Sequence, residues 1–315
     1  MAKYVIDIDF RKYTSHPQLV DDISPAFVAT QGDEVEITIH LITYYRFLYS
    51  DFLLLVVAAI QQLKAKGVQI TGRVYADSND DKVKYASRVN FFQQLGLDFP
   101  EDFVRYSGTG KFTEISSFDK DSIYALQDEL TAILHKSGGI NVEVLQMLYW
   151  CLNEIMDNVL IHSQLPTGWV SGQFFPKQKE IRMIICDTGL GIHNALTTYP
   201  GTKYGNITEQ EALQLCIQNR VTSGAGMGFG LFASSEFIKE NAGELLIYSG
   251  NHYLENKEKE FVVTKGNFWH GTFVFLRINT DIPVDYKQIL PAHHSLPDDY
   301  QEFIEKKFGI DENLW

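Results

Sequence analysis

The longest apolar run in the chain, Phe52 to Ile60 (FLLLVVAAI), falls well short of the roughly 20 residues a membrane-crossing helix needs. It lies inside Leu48–Lys66, which reads as one helix with a wide apolar face, closed by Gly67. A helix of this kind has to be buried, and its flanks supply the cover. Glu34 to Ile42 (EVEITIHLI) alternates as a strand, and Val68 to Ala76 (VQITGRVYA) is a second one. Asp77-Ser78-Asn79-Asp80 then offers turn and N-cap chemistry before a helix over Lys82–Leu95 that stops at Gly96. The order strand, helix, strand, helix favours a parallel pair joined by a crossover. Upstream, KYVIDIDF alternates like a strand and lacks the charged start and cleavage site of a signal peptide.

With 315 residues the chain can hold two domains with real cores. Twenty-seven basic residues against forty acidic ones give a net charge of −13. That balance argues against broad binding to nucleic acid or anionic membrane, because neutralising phosphates takes a basic surface. Cys151, Cys186 and Cys216 are odd in number and far apart, so they read as reduced thiols of a cytoplasmic protein and not as a disulfide set or zinc site. The histidines do not cluster as ligands either. His293-His294 sits in a Pro-rich stretch.

Tyr106 to Lys120 has little periodicity and reads as a linker. Within it, Ser107-Gly108-Thr109-Gly110-Lys111 lacks the first glycine and the trailing hydroxyl of a Walker A loop, and is read as a plain loop. From Asp121 the pattern changes. Helices are expected at Asp121–His135, Val142–His162, Glu209–Gln218 and Phe229–Glu240. Strands are expected at Trp169–Phe175, Glu180–Cys186, Glu244–Tyr248, Phe261–Thr264 and Thr272–Ile278. The chain is therefore expected to be α+β. A small α/β unit over residues 1–112 precedes a second unit over 113–280, whose mixed, mostly antiparallel sheet carries helices on one face. A tail follows over 281–315, with a short helix near Asp298–Lys307.

Four segments of the second unit carry chemical interest. In Leu152–Ser163 (LNEIMDNVLIHS), Glu154, Asn158 and His162 stand four apart and line one helix face, while Ile155, Val159 and Leu160 turn to a core. An amide oxygen is a hard neutral ligand for Mg²⁺, and a carboxylate one turn earlier can take a proton from a nucleophile. Asp187-Thr188-Gly189-Leu190-Gly191-Ile192 follows an apolar strand and sets one carboxylate at the sheet edge, where it could accept from an exocyclic amine. Gly224-Ala225-Gly226-Met227-Gly228-Phe229-Gly230-Leu231 leads into a helix whose N-terminus suits phosphate. Gly271-Thr272 opens the last strand. Taken singly, each segment could be a solvated face or a tight turn.

In this order and spacing the four resemble the N, G1, G2 and terminal GT motifs of the GHKL superfamily, the Bergerat fold of gyrase, sensor histidine kinases and mismatch-repair ATPases. The resemblance covers about Asp121 to Asn279. It implies ATP and Mg²⁺ as cofactors, with Asn158 on the metal, Asp187 on the adenine amine and Thr272 in support. Gly189, Gly191, Ile192, Gly224, Gly226, Met227, Gly228, Gly230 and Leu231 would shape the base pocket and phosphate loop, and Glu154 would be the general base. His193 to Ser223 would form a mobile lid, with Lys203 and Arg220 as possible phosphate contacts. Val159 replaces the alanine common after the magnesium asparagine. His135 is followed by Lys136-Ser137-Gly138-Gly139, a helix stop, which argues against a self-phosphorylating sensor.

The first unit resembles, at the level of fold, the STAS-like domains that accompany such ATPases in bacterial regulatory proteins, through VQITGRVYA and Phe91-Phe92-Gln93-Gln94-Leu95-Gly96-Leu97. That implies binding of a protein partner or homodimerisation. The expectation is a slow ATPase that couples its cycle to partner contacts. The alternatives are a serine/threonine kinase of the anti-sigma-factor type and a non-hydrolysing, nucleotide-gated module.

Overall fold

The structure, a computed structural model, describes residues 1–41, 47–101, 104–105, 112–136, 140–222, 228–257 and 260–289. The Walker-like stretch at 107–111, residues 223–227 of the glycine-rich segment, the helix stop at 137–139, the His293-His294 pair and the helix expected near 298–307 lie outside the described residues.

The protein is α+β. Its first half folds as β1 (Lys3–Asp9), α1 (His16–Ile23), a 3-10 turn (Ser24–Val28), β2 (Glu34–His40), α2 (Ser50–Ala65) and β3 (Gln69–Tyr75). The three strands form one parallel sheet in the order β1-β2-β3, the crossover arrangement expected from the sequence with β1 added at its edge. The expected helix over 82–95 is two: α3 (Asp81–Arg88), capped by Asp80, and α4 (Phe91–Leu95). Asn90 separates them at φ 65°, a left-handed conformation that asparagine tolerates.

The second half contributes β4 (Ser116–Phe118), α5 (Ile123–Lys136), α6 (Val142–His162), β5 (Gly168–Phe175), β6 (Glu180–Asp187), α7 (Gly191–Thr197), α8 (Glu209–Cys216), α9 (Gly230–Glu240), β7 (Glu244–Lys257) and β8 (Glu260–Asn279). Its sheet runs β4-β5-β6-β8-β7, and every pair is antiparallel, so the expectation of a mixed sheet is corrected. The described part of the expected linker, residues 112–120, also belongs to it. Thr113 N–H donates to the Gly172 carbonyl at 2.7 Å, and β4 forms the sheet edge beside β5.

Strand periodicity sends alternate residues of this sheet into two different cores. Ile181, Met183 and Ile185 of β6, with Val274, Leu276 and Ile278 of β8, pack under α6 and α9. Ile184, Cys186, Phe273 and Phe275 face the other way, into a core shared with the first half. The five-stranded sheet is therefore covered on both faces, on one side by its own helices and on the other by α1 and α2. This explains the apolar run. Every residue from Phe52 to Ile60 is at most 7% exposed, because α2 lies between the small sheet and the large one.

One ion pair is set into that shared core. Arg182 of β6 donates from Nε and Nη2 to Asp51 Oδ2 at 3.0 and 2.6 Å, and its guanidinium stacks on Tyr49 and Phe275. Burial, the largest single influence, would raise the Asp51 carboxyl, but Arg182 and His16, whose Nε2 lies 3.4 Å from Oδ2, together outweigh it and hold the group down to about 2. No described helix is long and apolar enough to cross a membrane.

Candidate functional site

Helix α6 starts at Asn141, whose side chain accepts from the Glu143 and Val144 amides at 2.8 and 3.3 Å. Its apolar stripe, including Leu148, Leu152 and Ile155, is buried against the sheet. The same 3.6-residue period turns Glu154, Asn158 and His162 to one side, where they line a cavity of about 350 Å³. That volume lies in the usual range for small-molecule sites, about 300–1,000 Å³.

The opposite wall comes from the end of β6. Asp187 pairs with Thr272 across the β6–β8 ladder, and both residues line the cavity. Burial raises the Asp187 carboxyl to about 7, against the pull of the Gly189 and Thr272 amides, which donate to it. The turn that follows is fixed by its contacts. Leu190 N–H donates to the Ser163 carbonyl at 3.0 Å, and a Cβ on Gly189 would stand 2.1 Å from that same oxygen, so no side chain fits there. Gly191 (φ 76°) and Ile192 then enter the cavity wall at the start of α7.

A third wall is the start of α9. Gly228, Phe229, Gly230 and Leu231 line the cavity, and the N-cap residue of α9, Phe229, makes no side-chain cap. Amides of a first helical turn left without a cap are donors for an anion. A Cβ on Gly230 would come within 2.8 Å of Glu154 Oε2, which keeps this turn close to α6. Of the expected site residues, Glu154, Asn158, Asp187, Gly191, Ile192, Gly228, Gly230, Leu231 and Thr272 thus meet in one place. Gly189 supports the turn from behind, and Gly224, Gly226 and Met227 lie outside the described residues.

Burial raises the Glu154 carboxyl to about 7, and the charge of Asp157 adds to the effect. Asp157 is itself raised by burial and lines the cavity, as does Ser163. Neither was singled out from the sequence, although both belong to the same helical segment. Ser249 of β7, at 5% exposure, was also missed. It accepts from the Ile192 amide at 2.8 Å and lies 3.2 Å from the Thr272 hydroxyl. One polar residue within ELLIYSG gives no signal of that role.

The expected lid contains two helices, α7 and α8, around a small core of Leu196, Tyr204 and Ala212. Glu209 fastens α8 to β7 by accepting from the Asn251 amide at 3.1 Å and pairing with His252 Nδ1 at 3.0 Å. The helix expected at Glu209–Gln218 is α8, started by the Thr208–Glu211 capping box, and α7 is a helix that was not expected. Lys203 and Arg220 are not on the cavity wall. Lys203 Nζ lies 5.1 Å from the centre of the Tyr204 ring, and the Arg220 amide donates to the Gly228 carbonyl. Among the described residues, no group of three or more His, Cys, Asp or Glu could hold a metal.

No protein-family model matches the chain, and no curated protein matches it.

Proposed function

We propose that this cavity binds Mg·ATP in the manner of the GHKL ATP-binding domains and that the protein slowly hydrolyses it. The observation that carries the reading is convergence. Four segments spread between Glu154 and Thr272, each of a residue type suited to one part of a nucleotide, line a single cavity.

In this reading the Asp187 carboxylate accepts from the adenine amine, at the end of a slot walled by Ile185, Ile192 and Val274. The start of α9 receives the phosphates with its first-turn amides. The Asn158 amide oxygen offers one metal ligand. Among the described residues no acidic cluster could hold the metal alone, so Mg²⁺ would complete its shell with phosphate oxygens and water, as it commonly does. A bound Mg²⁺ would supply charge neutralisation at the phosphates. Glu154, raised to about 7, is a base matched to neutral pH. It takes the proton from the attacking water as the bond to the γ-phosphoryl group breaks, leaving ADP and phosphate. In the same reading, partner contacts fall to the first half, whose small sheet leaves Val5 and Tyr75 exposed.

Incubation with γ-labelled ATP, alone and with candidate partner proteins, tests this. Free labelled phosphate is expected from the wild type and not from Glu154→Gln. Label on a partner hydroxyl would instead make the protein a kinase, and neither product would leave at most a nucleotide-gated module.

A further inference from the structure

Ser249 stands opposite Thr272 in the β7–β8 ladder, behind the cavity wall. Three groups surround its hydroxyl: the Ile192 amide at 2.8 Å, the Gly271 carbonyl at 3.1 Å and the Thr272 hydroxyl at 3.2 Å. An amide can only donate and a carbonyl can only accept. The one arrangement that satisfies all three therefore has Ile192 N–H donating to Ser249, Ser249 O–H donating to Gly271, and Thr272 O–H donating to Ser249. The Thr272 proton is then held away from the cavity, and its lone pairs remain for a ligand.

Thr272 adjoins Asp187 on the same wall, paired with it across β6 and β8. Resting on the nucleotide reading above, we propose that Ser249 is a specificity-determining positioning residue. By taking the Thr272 proton it makes Thr272 an acceptor beside Asp187, so the two together select a base bearing an exocyclic amino group over one bearing a carbonyl. An amino group has two N–H donors to give, directly or through water. A carbonyl oxygen facing two acceptors has no hydrogen-bond partner and loses the solvation it had.

Without Ser249, Thr272 is free to turn its proton into the cavity and donate to a carbonyl. The test compares ATP with ITP, which has a 6-oxo group in place of the amine, by titration calorimetry with Mg²⁺ present at pH 8, where a carboxyl raised to about 7 is ionised and can only accept. In Ser249→Ala the wild-type preference for ATP over ITP should fall about tenfold, the worth of one hydrogen bond. In a Thr272→Val background the same change should leave the ratio where it is. Thr272→Ser, which keeps the hydroxyl, should retain the wild-type ratio, and Thr272→Val should lose it. This second pair carries the test if thermal melts show that Ser249→Ala does not fold. Equal loss of ATP and ITP affinity in Ser249→Ala would make Ser249 a structural residue only and overturn the inference, with the nucleotide reading intact. An unchanged ratio in Thr272→Val would overturn it as well. A wild type that binds neither nucleotide would remove the reading on which it rests.

Discussion

The Glu154 carboxyl, raised to about 7 by burial and then by the charge of Asp157, makes a quantitative prediction about pH. With that value the group is about one-tenth ionised at pH 6 and about nine-tenths at pH 8. If ionised Glu154 is the base, kcat for ATP hydrolysis should rise about tenfold across that interval and level off above it. A glutamate at its ordinary value would be ionised throughout and give a flat profile. Glu154→Gln keeps the shape that fits against Gly230, where an added Cβ would already stand 2.8 Å from the carboxylate. It should therefore leave nucleotide affinity nearly unchanged while lowering kcat by about 10²–10⁴-fold. Asp157→Asn removes the second cause of the shift and should move the acid limb to lower pH. Steady-state phosphate release from pH 5.5 to 8.5, at saturating Mg·ATP, reads all three. A flat wild-type profile, or a Gln variant hydrolysing at the wild-type rate, would refute the assignment of Glu154 as base.

Arg182→Met leaves the Asp51 charge, 3% exposed, with only His16 beside it at 3.4 Å, so urea denaturation should show a loss of about 3–5 kcal/mol; a loss under about 1 kcal/mol would mean the pair is not buried as described. Because the folded-state Asp51 value is depressed to about 2, the stability it contributes is present above its ordinary value near 4 and is lost as pH falls from about 4 to about 2. Acid titration of the wild type should show that loss and Arg182→Met should show less of it. Gly189→Ala places a Cβ 2.1 Å from the Ser163 carbonyl, so thermal melts should register a cost of about 1–3 kcal/mol together with weakened nucleotide binding. Unchanged melting and binding would contradict the close approach of the turn to α6.

What could be read from the sequence followed from local chemistry. The polar stripe of α6 shows at its 3.6-residue period, the end of β6 at Asp187 shows as an apolar run stopping in Asp and Gly, and Gly96 marks the end of α4. Other features depend on partners far along the chain. Helix α1 is an exception, since the Ser15–Gln18 capping box with a proline in the first turn is a local signal. The strands expected at 261–264 and 272–278 are one long β8, which passes close to β6 at Gly271 (φ 95°), where an added Cβ would stand 2.4 Å from the Asp187 carbonyl oxygen. Nothing local announces that Ile184, Cys186 and Phe275 face the first half rather than water, since a strand buried on both sides reads the same whatever covers it. The candidate site divides the same way. Residues on α6 and the β6 turn carry their own pattern, whereas Ser249 acquires a role only through its register with Thr272.

Titration calorimetry of the wild type and Asp187→Asn with Mg·ATP and Mg·GTP at pH 8, where the Asp187 carboxyl is ionised, tests the central claim most directly. The buried Asp187 carboxyl at the end of the cavity should make ATP the strongly preferred nucleotide. Asp187→Asn should weaken ATP binding by about 1.5–3 kcal/mol, roughly 10- to 150-fold, the worth of a hydrogen bond to a charged group. Equal affinity for GTP, or no binding of ATP by the wild type, would contradict it.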